Sequence, residues 1–483
     1  MRTRIAVGVI ALIAGSAAGQ ASRDTVHTGR DGAAIIRDAL PLLVQQPPAG
    51  AEREGILWTY VDPVSITESV SLGNAGAESW VSHTLNDERI SKFTTTGDGN
   101  PDFVFSLDAE SPFSIGVSAA EAASLCAAIA KPSTAPVTVW AFSDAGGGTP
   151  LWTHVFDAAY TNSSKHNVSV SADGARVAAL AYDGANSLLV ILDGAGAELG
   201  SVEVAGFCSG VEISADGSRV VVTAGEYARL YDTATLTEQY ALRTSGSGGF
   251  HRISRDGTAI AAGGFNIKAA REVGGVWQEV YSGTGTNDWF GWGVALSGDG
   301  ETLFVLSHDY VQNYLANDHR VVDLTTGTVV AQNGYVGSGA KQNSAVGAQA
   351  NGDGTLFVAA SWGDAGNTQP EVRIYDRDLN LVGSIDTPGS PYDVSMNASG
   401  RYVLVGSKAV HANDFGNGGR TYAYETAASC VADFNGDGVV DTRDVIAFLN
   451  AWNAQDAASD CDGNGVIDTR DVICFLNEWN AGC

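Results

Sequence analysis

From about residue 55 to residue 425, hydrophobic and polar residues alternate along short segments, and a polar turn containing glycine joins these segments in pairs. Alternation with a period of two is typical of a half-buried β-strand. The turn, often Ser-Ala-Asp-Gly, has a glycine that satisfies the need of a tight turn for positive φ. Clear copies of this strand–turn–strand unit begin at Val168, Val211, His251, Gly293, Val346 and Asp393.

The spacing of the turn glycines predicts the architecture. They are Gly174, Gly217, Gly257, Gly300, Gly354 and Gly400, and they lie 43, 40, 43, 54 and 46 residues apart. A period of about 40–50 residues with about four strands in each unit is typical of a β-propeller, an all-β fold. Weaker copies start at Glu68 and Phe113, which brings the expected number of four-stranded blades to eight. Seven blades is the alternative if the copy at Glu68 is a false match.

The two ends of the repeat region predict how the ring closes. The segment LWTHVFD at residues 151–157 is the expected outer strand of the second unit, and LWTYVD at residues 57–62 resembles it although it precedes the first unit. The last unit, which ends in RTYAYET, has no outer strand of its own. We therefore expect residues 55–63 to complete the last blade, which removes the free sheet edges that favour aggregation.

Composition and the N-terminal segment narrow the classes of partner. The 483 residues carry a formal net charge of −28, and such a surface repels nucleic acid and anionic membranes. Residues 1–21 have two arginines, an apolar run and then small residues, the order of a secretory signal peptide. Residues 22–54 are expected to be a leader to the propeller at 55–425. We expect a secreted, extracellular or cell-surface protein with no membrane span in the mature chain.

The propeller region shows no catalytic pattern. There is no nucleophile elbow and no HExxH motif, and the histidines are scattered without the spacing of metal ligands. An enzyme is therefore not the favoured interpretation, and no catalytic residue is assigned. Four aromatic residues, Trp289, Trp292, Trp362 and Tyr392, are best explained by ordinary packing between blades, and a sugar- or peptide-binding face is the alternative.

Two segments near the C-terminus place oxygen-bearing residues at the ligand positions of an EF-hand-type calcium loop, which are 1, 3, 5, 7, 9 and 12, with glycine at 6. In residues 433–444 the positions are Asp433, Asn435, Asp437, Val439 through its carbonyl, Asp441 and Asp444. In residues 460–471 they are Asp460, Asp462, Asn464, Val466 through its carbonyl, Asp468 and Asp471. Hard oxygen ligands in this order predict two bound Ca²⁺ ions.

Each loop leads into one amphipathic helix, in TRDVIAFLNAWNA and TRDVICFLNEWNA, and no helical pattern precedes the first loop. Two loops, each followed by a single helix, resemble a dockerin module over residues 430–483, and the Asn-Ala-Gly-Cys ending is similar to that of GC-type dockerins. The resemblance implies a small α-helical module that binds a cohesin-like or other cell-surface partner. It also implies that loop positions ten and eleven contact that partner, here Thr442, Arg443, Thr469 and Arg470.

Export implies an oxidising compartment, in which cysteines form disulfide bonds. Four of them in the C-terminal module imply two disulfide bonds, for which three connectivities are possible. We favour pairing Cys430 with Cys483 and Cys461 with Cys474, with covalent attachment or processing as the alternative for Cys483. Cys126 and Cys208 fall two blades apart and are expected to be buried and unpaired.

These patterns favour a secreted, non-catalytic binding or adhesion propeller that a calcium-dependent dockerin tethers to a scaffold or surface partner. The ligand of the propeller is expected to be a glycan or a protein. The alternative is a carbohydrate-active propeller, a hydrolase or lyase that degrades polysaccharide and is recruited to an extracellular complex by the dockerin.

Overall fold

Among the residues that the structure describes, the alternating segments form 32 β-strands, which pair into eight antiparallel four-stranded sheets. The structure is a computed structural model that describes residues 55–107, 114–161, 163–244, 251–283, 289–309, 314–339, 345–364, 366–411, 418–426, 432, 434, 442–459, 461 and 466–481. The predicted signal peptide and leader lie outside these residues. The prediction of an eight-bladed propeller is confirmed, and the copy at Glu68 is a true blade.

The blades are numbered from the first complete repeat, and their strands are given from the central channel outward. Blades 1 to 4 comprise β2 (Ile66–Gly73), β3 (Glu78–Thr84), β4 (Arg89–Thr94) and β5 (Phe103–Ser106); β6 (Ile115–Ala119), β7 (Cys126–Ala130), β8 (Thr138–Phe142) and β9 (Trp152–Val155); β10 (Val168–Val170), β11 (Arg176–Tyr182), β12 (Asn186–Asp193) and β13 (Glu198–Ala205); β14 (Cys208–Ile213), β15 (Arg219–Ala224), β16 (Tyr227–Asp232) and β17 (Glu238–Arg243).

Blades 5 to 8 have the same order. They comprise β18 (His251–Ile253), β19 (Ala259–Ala262), β20 (Lys268–Val273) and β21 (Val276–Ser282); β22 (Trp289–Leu296), β23 (Thr302–Asp309), β24 (Ala316–Asp323) and β25 (Thr328–Val336); β26 (Ala345–Ala350), β27 (Leu356–Ser361), β28 (Val372–Asp376) and β29 (Leu381–Ile385); β30 (Pro391–Met396), β31 (Tyr402–Lys408), β32 (Gly419–Glu425) and β1 (Ile56–Asp62).

The ring closes through the first strand, as predicted. Strand β1 pairs with β32 in antiparallel register, with Ile56 opposite Tyr424 and Asp62 opposite Gly419. The outer strand of the last blade therefore comes from the start of the repeat region. The last blade is joined by the chain to blade 7 on one side and to blade 1 on the other.

The hydrophobic core lies between the blades rather than at one centre. Eight clusters of buried apolar side chains each combine residues of two successive blades, including the pair formed by blades 8 and 1. Both faces of each sheet are apolar because a neighbouring blade covers each of them. Cys126 and Cys208 lie in two of these clusters, buried and without a disulfide bond, as predicted.

A second connection between blades is made by the turns that join each inner strand to the next strand; we call it the turn belt. Hydrogen bonds link the turns of all eight neighbouring pairs of blades. Donor first, they join Ala75 to Glu121, Ala122 to Ala172, Ala172 to Ala215, Ala215 to Arg255, Asp256 to Gly298, Gly298 to Gly352, Gly352 to Ala398, and the side chain of Asn397 to the carbonyl of Ala75.

The repeated Ser-Ala-Asp-Gly turn is a structural device. In blade 3 the Ser171 hydroxyl donates to Asp173 at 2.8 Å, and Asp173 accepts the amide of Ala175 at 2.9 Å. Gly174 has φ of 71°, a conformation that other residues adopt only with strain. The turn aspartates are therefore used within their own turns.

The chain divides into two compact units, Met1–Tyr424 and Glu425–Cys483. In the second unit, α1 (Thr442–Asn453) and α2 (Thr469–Ala481) confirm the two predicted helices. Phe448 and Phe475 stack face to face with ring centroids 4.1 Å apart, and Phe434 packs edge-on against both. Within the part of the chain that the structure describes, no helix is long and apolar enough to span a bilayer.

Candidate functional site

Within the described residues, five inner strands begin with a register shift that leaves one residue without a partner on the next strand. These bulged residues are Glu68, Ser209, Trp292, Val346 and Tyr392. Each lies eight residues before the glycine of its own turn, as Tyr392 does before Gly400. A bulge re-aims its side chain and is common next to binding sites. Since the inner strands surround the central channel, the five positions ring one end of it, which we call the channel mouth.

Lys165 crosses the channel mouth. It lies three residues before β10 of blade 3, yet its ammonium donates hydrogen bonds to the main-chain carbonyls of Glu68 at 3.2 Å and of Tyr392. These residues belong to blades 1 and 8, so the lysine passes over blade 2. Gly116 makes this passage possible, because a Cβ atom there would lie 2.1 Å from the carbonyl oxygen of Lys165.

Glu68 contributes a buried carboxyl group at the mouth. Its side chain accepts the Ser114 hydroxyl at 2.9 Å and the amide of Ile115 at 3.1 Å. Burial raises the pKa of this carboxyl group above its usual value, and the nearby Lys165 ammonium opposes that rise. The mouth therefore combines a fixed cation with a desolvated carboxyl group.

Two of the four predicted aromatic residues meet at the mouth. The rings of Trp362 and Tyr392 are 6.4 Å apart and tilted by 36°, and both are only half-buried. The Lys165 ammonium lies 5.6 Å from the ring of Tyr392, and that of Lys408 lies 5.3 Å from the ring of Trp362. Burial, with the charge of Glu68, raises the pKa of Tyr392 to about 12, so its hydroxyl remains a hydrogen-bond donor at neutral pH.

The other two aromatic residues, Trp289 and Trp292, lie on β22, which is the inner strand of blade 6. Both lie in the first half of that strand, and their side chains lie outside the described residues. Lys165 and Glu68 were missed. Aligning the repeats on their turn glycines would have found Glu68, because it occupies the same position as Tyr392.

A metal centre is not visible among the described residues of the propeller. No group of three or more His, Cys, Asp or Glu side chains is arranged to hold a metal ion in the part of the chain that the structure describes. Most predicted calcium ligands lie outside that part, namely Asp433, Asn435, Asp437, Val439, Asp441, Asp460, Asp462 and Asn464. Calcium binding at the two loops therefore stays a prediction.

The described members of the loops fit a cation site. Asp444 and Asp471, at position twelve of each loop, are completely buried at the start of α1 and α2. A buried carboxylate needs a compensating charge or hydrogen bonds, and Asp471 accepts the amide of Asp468 at 2.7 Å. The side chain of Val466 is 54% exposed, as expected where only the carbonyl is used. The Trp452 indole donates to the carbonyl of Asp468 at 2.8 Å, which connects the two repeats.

The four residues that the resemblance assigns to partner binding occupy matching places. Thr442 and Arg443 begin α1, Thr469 and Arg470 begin α2, and all four side chains are exposed. The guanidinium of Arg470 pairs with Asp468 at 2.7 Å. Exposure at equivalent positions makes them accessible to a partner, and their role in binding one stays a prediction.

One of the two favoured disulfide bonds is confirmed. Cys461 and Cys474 are bonded, with Cα atoms 5.9 Å apart. The bond ties the second residue of the second loop to α2. In the first loop the equivalent residue is Phe434, which belongs to the aromatic core instead. Cys430 and Cys483 lie outside the described residues, so their pairing is not tested.

Calcium is expected to stabilise the C-terminal unit selectively. Adding Ca²⁺ at about 100 times its dissociation constant should raise the free energy of unfolding of this unit by about 2.7 kcal/mol for each site, because the ion binds only the folded loops. Circular dichroism of residues 430–483, with and without chelator, measures the change. Asp471→Asn should reduce the gain, and Asp456→Asn, outside the loops, is the matched control. An identical melting curve with and without calcium would contradict the assignment.

No protein-family model matches this chain, and the search of curated proteins also found no match. The functional assignment therefore rests on the propeller, its channel mouth and the geometry of the C-terminal unit.

Proposed function

We propose that this chain is an exported binding protein. Its propeller recognises a glycan or protein ligand at the channel mouth. Its C-terminal unit is a dockerin-like module that holds two calcium ions and docks to a cohesin-like or other cell-surface partner. The observation that carries the proposal is the group formed at the mouth by Lys165, Glu68, Tyr392 and Trp362.

The mouth is better suited to binding than to a reaction. Lys165 is held by two main-chain carbonyls, so its position is fixed before a ligand arrives. A fixed group loses little conformational freedom on binding, which favours affinity. The half-exposed rings of Trp362 and Tyr392 supply apolar faces, while the phenol and the ammonium supply hydrogen-bond donors.

The test is a screen of the full chain against a glycan array and a panel of polysaccharides and peptides. Trp362→Ala and Tyr392→Ala should each weaken binding of the best ligand at least tenfold, since aromatic anchors at the centre of a site dominate affinity. Trp277→Ala is the matched control, because this half-buried tryptophan stacks on Tyr240 on the outer side of the propeller. Equal effects of all three variants would contradict a site at the mouth.

A polysaccharide-degrading enzyme is the second candidate, and one observation favours it. Glu68 is a buried carboxyl group with a raised pKa, the property of a general acid in glycoside hydrolysis. The same polysaccharide panel separates the two functions. Release of new reducing ends or unsaturated products by the native chain, lost in Glu68→Gln, would establish the enzyme. Binding without products would leave the first proposal.

Docking through the C-terminal unit is expected to use either of two equivalent faces. Arg443 and Arg470 begin the two duplicated helices, and a planar guanidinium suits a carboxylate on a partner. In a pull-down of the surface partner, either single alanine variant should bind nearly as well as the native chain, because the other face serves. The double variant should lose at least tenfold in affinity.

The control for this experiment is Arg377→Ala, which removes an exposed arginine from the propeller. Simple duplication without a second docking face is the alternative. It predicts that one of the two single variants abolishes binding as completely as the double variant does.

A further inference from the structure

The central channel contains a cavity that is distinct from the channel mouth. It has a volume of about 190 Å³ and lies toward the turn belt, between the inner strands and their turns. Its polar lining includes Glu212, Arg252 and Gln349 on one side and Ser118 and Ser169 on another. One water needs about 10–15 Å³ of such a volume, so the cavity has room for a small organic molecule.

The cavity is open on one side because the side chains there are small and lie along its wall. Four successive blades, numbers 8, 1, 2 and 3, carry serine at the same position of the inner strand. Each serine oxygen accepts an amide of the following blade: Leu72 to Ser395, Ala119 to Ser71, Val170 to Ser118 and Ile213 to Ser169, at 2.9–3.1 Å. These hydroxyl groups are therefore directed along the wall and leave the lumen on that side open.

The same position carries larger charged or amide side chains in blades 4, 5 and 7. There the residues are Glu212, Arg252 and Gln349. One oxygen of Glu212 accepts the amide of Ile253 at 2.9 Å, and the other lies 3.9 Å from Arg252, beyond hydrogen-bond distance. Arg252 donates through Nε to the carbonyl of Val294 at 3.3 Å. A carboxylate and a guanidinium thus line the cavity side by side as an ion pair with a separation of 3.9 Å.

The carboxyl group of Glu212 benefits from a further cation. Burial raises its pKa, and Arg252 opposes this rise. An ammonium group placed in the lumen would stabilise the desolvated carboxylate, while a carboxylate placed beside it would meet the guanidinium and the Gln349 amide. The cavity therefore favours a small molecule that carries both an ammonium group and a carboxylate group.

The end of the channel near the turn belt is spanned by a second ion pair. Arg255 of blade 5 pairs with Glu121 of blade 2, and both residues line the cavity. The side chain of Arg255 is 40% exposed. An ion pair in contact with water contributes little stability, so it can part to admit a ligand and close behind it.

We propose that this cavity binds a free α-amino acid with a small side chain, with its ammonium group at Glu212 and its carboxylate at Arg252. The volume accommodates a small amino acid, and the neighbouring opposite charges of Glu212 and Arg252 favour a ligand that carries both an ammonium and a carboxylate group over simple amines and simple carboxylates. The site shares no residue with the channel mouth. It is therefore independent of the proposed glycan or protein ligand.

Isothermal titration of the full chain with glycine, L-alanine and L-serine tests the proposal. At least one of them should bind with a dissociation constant below about 1 mM, whereas N-acetylglycinamide, ethylamine and acetate should bind at least tenfold more weakly. Glu212→Gln and Arg252→Gln should each weaken amino-acid binding at least tenfold. Glu238→Gln, on the outer strand of blade 4, is the matched control.

A further variant separates loss of the site from loss of folding. Gln349→Trp narrows the lumen from blade 7 without removing a charge, and it should abolish binding while thermal unfolding stays cooperative. The proposal is overturned if none of the three amino acids binds the native chain, which would leave a cavity filled only by water. It is equally overturned if the neutral amide binds as well as glycine, or if Glu212→Gln leaves the affinity unchanged.

Discussion

Replacing Trp58 by alanine is expected to lower the free energy of unfolding of the propeller by about 3–5 kcal/mol, the usual range for removing a buried tryptophan. Trp58 lies on the closing strand β1 and is only 6% exposed. Its indole donates to the carbonyl of Thr95 at 2.8 Å and stacks on Phe93 with ring centroids 5.0 Å apart. Both partners belong to blade 1, so this one side chain fastens blade 8 to blade 1 at the point of closure.

Chemical denaturation, monitored by far-UV circular dichroism rather than by tryptophan fluorescence, measures the change in the free energy of unfolding. Val61→Ala is the matched control, because Val61 is on the same strand but its side chain is 55% exposed. Exposed substitutions usually change stability by less than about 0.5 kcal/mol. If the two variants lose equal stability, the ring does not depend on the packing of its closing strand against blade 1.

Replacing Phe475 by alanine is expected to unfold the C-terminal unit while leaving the propeller intact. Phe475 is completely buried, stacks on Phe448 and contacts the edge of Phe434. Loss of a buried phenylalanine costs about 3–5 kcal/mol. A unit of this size has a small core and a stability margin of only a few kcal/mol. The substitution should therefore leave the unit largely unfolded at 37 °C.

Helical circular dichroism and limited proteolysis of the full chain report the outcome. The variant should lose its helical signal and be cut within Glu425–Cys483, while the propeller still resists the protease. Ile473→Ala is the matched control on the same helix, since Ile473 is 61% exposed. A variant of Phe475 that remains resistant would show that other contacts, such as the Cys461–Cys474 bond, hold the unit together without the aromatic stack.

The architecture was predictable because it repeats. Each blade contains a turn whose glycine is recognisable on its own, and Gly174 and its equivalents do adopt positive φ. Because these turns recur at regular spacing, counting them gives the number of blades. The closing strand was predictable for a similar reason, since residues 57–62 resemble an outer strand found elsewhere in the chain. The Cys461–Cys474 bond followed from cysteine number and proximity within one repeat.

The channel mouth was predictable only in part, because its residues are distant in sequence. Trp362 and Tyr392 are conspicuous as aromatic residues near the ends of strands. Lys165 donates hydrogen bonds to the main-chain carbonyls of Glu68 and Tyr392, which are 97 and 227 residues away. No local sequence pattern predicts contacts between residues so far apart. The role of this lysine also depends on Gly116, a residue that looks ordinary until the backbone of Lys165 is seen to pass over it.

The pairing of Ile56 with Tyr424 has a mechanical consequence. The chain enters and leaves the propeller at neighbouring points of one sheet, so pulling on both ends would peel β1 from β32 one residue pair at a time. The docking that we propose for the C-terminal unit would load only one of these ends, at Glu425. That load enters β32, which is held by β31 on one side and β1 on the other. A propeller anchored only through its C-terminus can therefore carry a pulling force on a bound ligand without peeling β1 from β32.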